Sequence, residues 1–129
     1  MTDLHIPATE CSPEVDFRFS QNSLVLRGES FPENAAQFYE PILTRLESFL
    51  GAANGLMIDV VVELKYFNSA STKMLFNLFA LLNGASDADN VVHARWLHDP
   101  EDDMILEFGE ELQEEFDQVK FTMAALEPA

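Results

Sequence analysis

The segment Asn68-Ser69-Ala70-Ser71-Thr72 sets three hydroxyls within four positions, after an apolar strand pattern and before a helical one. The first N–H groups of a helix lack partners inside it, so they take up an oxygen, and the aligned peptide dipoles favour negative charge there. Two chemistries use such a place. Asn68 or Ser69 can cap the helix. Alternatively a hydroxyl, Ser69 first, accepts a phosphate, which adds nearly two negative charges and three acceptor oxygens. A helix start tolerates that charge. A partner packing apolar atoms or carboxylates over the same surface does not. The fold stays still while the interface changes sign. The surface so switched is expected to span Tyr66, Asn68, Ser69, Ala70, Ser71, Thr72 and Lys73.

The acidic residues form the second constellation. From Asp99 to Asp117 there are ten carboxylates and no basic residue. Glu107, Glu111 and Glu115 share one helix face at spacing four, as do Glu110 and Glu114, which destabilises an isolated helix slightly. The run reads as a solvated helix face, or as a docking surface that speeds association with a basic partner. His98, Asp99, Asp102 and Asp103 lack the spacing and central glycine of a calcium loop, so no metal is expected. His5, His93 and His98 are scattered. There is no Ser-His-Asp order, Gly-rich phosphate loop, CxxC pair or HExxH. An enzyme is not expected, and neither is a cofactor. The rival from that class is a small acid/base enzyme built on a carboxylate of raised pKa in a pocket. Cys11 reads as an unreactive thiol in a reducing cytoplasm.

A scaffold must position these groups, and the hydropathy pattern supplies one. Residues 1–14, with Pro7 and Pro13, read as an extended lead-in. Val15, Phe17 and Phe19 alternate with Asp16 and Arg18, Gln21-Asn22-Ser23 turns, and Leu24 and Leu26 continue a hairpin that Gly28 ends. Ser30 is expected to cap a helix, with Pro32 in the first turn and Glu33 at capping-box spacing. Phe38, Ile42, Leu46 and Phe49 form its stripe, and Pro41 predicts a kink or break. Leu56, Ile58, Val60, Val62 and Leu64 give a central strand one dry face, opposite Met57, Asp59, Val61, Glu63 and Lys65. Met74–Asn83 reads as helix and 84–90 as polar loop. Val92, Ala94 and Trp96 form a strand. Pro100–Phe116 forms an acidic helix with Ile105, Phe108, Leu112 and Phe116 inward, and Val119, Phe121 and Met123 a last short strand. The order β-β-α-β-α-β-α-β predicts an α/β fold: a single mixed β-sheet with helices mainly on one face, one domain over 1–129.

Charge bounds the partners. With 23 acidic against 7 basic residues the formal net charge is −16. Such a chain repels phosphate backbones and anionic lipids, so neither nucleic acid nor membrane is expected as a main partner. No apolar run reaches the length of a membrane span, and the first residues lack the basic start and apolar stretch of a signal peptide. A cytoplasmic protein that meets other proteins is the expectation.

Leu4-His5-Ile6-Pro7, Gly28-Glu29-Ser30-Phe31-Pro32-Glu33-Asn34, Leu64-Lys65-Tyr66-Phe67-Asn68-Ser69, Asp102-Asp103-Met104 and Gly109-Glu110-Glu111 together resemble the SiaC-type regulatory phosphoproteins of bacteria over nearly the whole chain. The resemblance implies a fold like the anti-sigma-factor antagonists (STAS domains), in which a serine at the start of a helix after a central strand is phosphorylated. It implies a circuit in which a Ser/Thr kinase adds the phosphate and a metal-dependent phosphatase removes it. The unphosphorylated protein then binds and stimulates a diguanylate cyclase, raising cyclic di-GMP and biofilm formation. The family's acceptor follows the asparagine, commonly within Asn-Thr-Ser-Ser. Ser69 takes that position, Ala70 departs from the pattern, and Ser71 and Thr72 are the alternative acceptors. The rival with the same fold is a direct anti-sigma-factor antagonist.

Overall fold

Period-two alternation builds one sheet, and period-3.6 spacing builds the helices that cover it. A computed structural model describes residues 2–126. Its strands are β1 (Leu4–Ile6), β2 (Glu14–Arg18), β3 (Ser23–Ser30), β4 (Met57–Phe67), β5 (Val91–His98) and β6 (Lys120–Ala125). Three helices connect the later strands: α1 (Ala35–Gly51), α2 (Ser69–Asp87) and α3 (Asp103–Glu115). The spatial order of the six strands is the chain order. β1, β2 and β3 pair antiparallel, while β3 to β6 pair parallel. Right-handed crossovers that all step in one direction set their helices on one face. Burial agrees: Ile58, Val60, Val62 and Leu64 of β4 are buried, whereas Met57, Asp59 and Lys65 are exposed. The mixed sheet expected from the sequence is therefore present.

The uncovered face follows from register. Glu14, Arg27 and Glu63 share one row across β2, β3 and β4, and Asp59 and His93 pair in another with Lys120 beyond them. Alternating charge lets half of this sheet face water. The covered face holds the core, in which Trp96 packs against Phe67, Phe79 and Phe108 and its indole N–H donates to the Ile105 carbonyl at 2.9 Å.

Five features differ from the sequence expectation, each for a physical reason. The lead-in contains β1, whose three residues are too few to show a period yet pair with Val15–Phe17. Ser30 does not cap α1. It ends β3, and the cap is Asn34, whose side chain accepts from the Gln37 N–H at 3.0 Å. Pro41 does not break α1, which runs on through it; Pro41 is exposed, so water can serve the carbonyl it leaves unpaired. α2 continues through Gly84 to Asp87 because Ala85 still buries its side chain, and the loop shrinks to residues 88–90. At the other end of β5, Asp102 caps α3 through the Ile105 N–H, so that helix starts at Asp103 rather than Pro100.

Candidate functional site

The hydroxyl segment sits at the carboxyl end of β4, beside a register shift. Gly28 faces Leu64 but Glu29 faces Tyr66, so Lys65 is an extra residue in the pairing. A bulge of this kind re-aims the side chains beyond it. Phe67 enters the core against Trp96 and Phe108. Tyr66 stays 51 % exposed and meets Phe31 edge to face at 5.6 Å.

Asn68 then caps α2. Its side chain accepts from the Ser71 N–H at 2.9 Å, its carbonyl accepts from the Thr72 N–H at 3.1 Å, and its own N–H donates to the Ser30 carbonyl at 3.1 Å. Capping is thus performed by Asn68, which leaves Ser69, the first residue of the helix, free of that duty and exposed. Ala70 and Lys73 are exposed beside it, Lys73 one turn on at the spacing that supports an ion pair. Thr72 is half-buried and its hydroxyl donates to the Ser69 carbonyl at 2.6 Å. Ser71 is fully buried, with its Oγ accepting from Ser30 Oγ at 2.8 Å. That burial removes Ser71 as an acceptor and as a partner contact in the folded chain.

Ser30 Oγ also lies 2.7 Å from the Tyr39 hydroxyl. Burial pushes the Tyr39 phenol up to about 12. The folded pKa lies above the unfolded value near 10, so this contribution to stability is whole below pH 10 and is lost as pH rises toward 12. The loss amounts to roughly 3 kcal/mol at most. Tyr39→Phe is expected to flatten the alkaline limb of a denaturant-midpoint titration over that window, checked against wild type at matched pH.

Two residues of this surface give no periodic signal in the sequence. Phe31 (36 % exposed) follows the end of β3, and Met104 (79 % exposed) lies in the first turn of α3. A small cavity of about 80 Å³ lined by Tyr66, Phe67, Asp102, Met104 and Ile105 joins Met104 to the Tyr66 side. Exposed large apolar side chains are the visible sign in each case, and only folding gathers them. On the other side of Ser69 an open groove of about 950 Å³ runs between the start of α1 and α2, lined in part by Asn34, Phe38, Ala70, Lys73 and Met74.

The acidic segment resolves into local duties. Asp99 accepts from the Glu101 N–H and Asp102 from the Ile105 N–H. Ile105, Phe108 and Leu112 are buried, while Glu107, Glu110, Glu111, Glu114 and Glu115 are exposed, as a solvated helix face requires. Among the described residues no group of three or more His, Cys, Asp or Glu could hold a metal ion, and no helix is long and apolar enough to cross a membrane.

Comparison with known proteins matches this geometry to a family. The family model described as SiaC family regulatory phosphoprotein matches residues 6–126. An uncharacterised protein of Pseudomonas aeruginosa (strain UCBPP-PA14) is 30 % identical over 115 residues, covering 89 % of this chain and 90 % of the relative. The solved structure of SiaC of Pseudomonas aeruginosa superposes with a TM-score of 0.85 at 27 % identity, covering 98 % of this chain and all of that one. A second structure holds the diguanylate cyclase SiaD of Pseudomonas aeruginosa in complex with its activator SiaC. It matches with a TM-score of 0.85 at 27 % identity, covering 96 % of this chain and 100 % of that one. With its strand order, its capped α2 and the match over residues 6–126, this chain belongs to the SiaC family of regulatory phosphoproteins, whose role is to regulate rather than to catalyse.

Proposed function

We propose that the chain is a phosphorylation-switched activator of a diguanylate cyclase. The unphosphorylated form binds and stimulates the cyclase, a Ser/Thr kinase silences it at Ser69, and a metal-dependent phosphatase restores it. The circuit works in the cytoplasm and sets cyclic di-GMP and biofilm formation. The observation that carries the reading is Ser69 itself, exposed at the start of α2, spared from capping by Asn68 and three residues beyond Tyr66, which stays exposed against Phe31. A partner that buries this pair brings Ser69 into a drying interface, where a phosphate is expelled. The activator complex of the Pseudomonas aeruginosa relative supports the choice of cyclase.

The test is cyclic di-GMP formation from GTP by purified diguanylate cyclases of the native host, with and without the unphosphorylated chain. Stimulation of one of them is the expected result. Tyr66→Ala and Met104→Asp are each expected to raise the half-maximal concentration about tenfold, as truncation of an interface anchor does. Their melting temperatures should stay near wild type because both side chains are exposed. Stimulation undisturbed by either change would move the interface elsewhere. Capture of an anti-sigma factor with no cyclase would turn the reading to a direct antagonist.

A further inference from the structure

We propose that Tyr39 and Ser30 are positioning residues for the Ser69 switch, holding the Asn68–Thr72 turn in one conformation through a buried hydroxyl chain that ends on Ser71. The proposal rests on the switch reading above. Tyr39, Ser30 and Ser71 are all fully buried. The single hydroxyl proton of Ser30 is spent on Ser71 Oγ, so the Tyr39 hydroxyl must be the donor to Ser30 Oγ. The chain therefore runs one way, from α1 through the end of β3 to the first turn of α2.

Ser30 grips that turn twice. Its side chain holds Ser71, and its carbonyl accepts the Asn68 N–H. Asn68 closes the loop on the Ser71 N–H. Ser69 and Ala70 are the exposed residues stretched between the anchored Asn68 and Ser71. Phe31, the next residue after Ser30, is carried by the same anchor to its place on Tyr66.

Stability alone does not call for hydroxyls here. Replacing both sides of a buried hydrogen bond with apolar groups of similar shape is nearly neutral. What hydroxyls add is direction: each bond has a narrow geometry, and a chain of them in a dry interior polarises and fixes its members. The element so fixed is the one that must offer Ser69 to a kinase and the Phe31–Tyr66 surface to a partner.

The test uses the full chain. Tyr39→Phe deletes one oxygen. By amide exchange followed with NMR, Ser71 and Thr72 are expected to exchange about tenfold faster, the equivalent of one hydrogen bond, while Leu78 and Leu82 further along α2 keep wild-type rates. The initial rate of phosphate incorporation at Ser69, read by peptide mass after the soluble extract of the native host is supplied with ATP, should fall by about the same factor at limiting chain concentration. The triple variant Tyr39→Phe, Ser30→Ala, Ser71→Ala matches apolar to apolar. It is expected to recover most of the melting temperature but neither the slow exchange nor the phosphorylation rate. Recovery of the rate along with the melting temperature would overturn the positioning role, because the hydroxyls would then be structural. Unchanged exchange in Tyr39→Phe, beside a wild type phosphorylated at Ser69, would overturn it too. A wild type that takes no phosphate at Ser69 overturns the switch reading first, and the role of Tyr39 in it.

Discussion

Ser69→Asp is expected to weaken binding to the cyclase by about 30- to 100-fold, and Ser69→Ala to leave it within a factor of about two. The asymmetry comes from the two environments of one position. In the free chain Ser69 opens α2, where unpaired N–H groups and the helix dipole accommodate an anion. Lys73 lies one turn on and adds a favourable pair. An aspartate here should leave the melting temperature unchanged or slightly higher. In the complex the same carboxylate would lose its water, and a single hydroxyl such as that of Tyr66 could not replace a full hydration shell. Calorimetric titration against the cyclase, paired with a thermal melt of each variant, separates the two terms. A large fall in melting temperature for Ser69→Asp would mean that the helix start does not accept charge, and the proposed mechanism would fail at its first step. Equal affinities for the two variants would place the interface away from α2. A phosphate carries nearly twice the charge of the aspartate, so the phosphorylated chain should bind more weakly still.

How much of this site the sequence made legible divides along one line. Whatever is written as local periodicity was readable: the dry face of β4, the stripe of α3, and the abrupt change from strand to hydroxyl-rich helix start at Asn68. Contacts made between distant segments were not. Ser30 carries every local mark of an N-cap, with Glu33 at capping-box spacing, yet it belongs to β3 because pairing with Phe67 extends that strand. Once there, its hydroxyl is turned inward to Tyr39 and Ser71, nine and forty-one residues away. Ser71 and Ser69 look equivalent in the sequence. Two residues apart on a helix, they point to different sides, and burial alone tells them apart. Phe31 and Met104 fall outside the apolar stripes of their elements, and nothing before folding says that both come to Tyr66. The departure at Ala70 has a simple local setting, since that side chain is exposed on the wall of the groove shared with α1 and makes no cap.

The second large effect is predicted at Gly109, and there the sign is decided by comparing two magnitudes. Gly109 lies inside α3, where alanine is intrinsically better by about 1 kcal/mol. Helix propensity alone would make Gly109→Ala stabilising. A Cβ at that position, however, would stand 2.5 Å from Trp96 Cδ1 and 2.6 Å from its Nε1. The indole cannot swing aside freely. It is buried, hemmed by Phe67, Phe79 and Phe108, and tied by its N–H to the Ile105 carbonyl of the same helix. Overpacking of this kind costs about 1–3 kcal/mol, and straining the indole hydrogen bond adds about 1 kcal/mol more. The net expectation is destabilisation by about 1–3 kcal/mol, read as a lower denaturant midpoint with an unchanged slope. Because Phe67 leans on Trp96 and directly precedes Asn68, part of that strain should reach the start of α2 and weaken cyclase binding as well. Trp96→Phe supplies the control. Removing the larger ring opens room for the new methyl, so Gly109→Ala should be far less damaging in that background, a positive coupling between two touching residues. If Gly109→Ala proves as harmful with Phe at position 96 as with Trp, the close approach of helix to indole is not what selects glycine, and helix α3 does not sit against the core as tightly as its backbone implies.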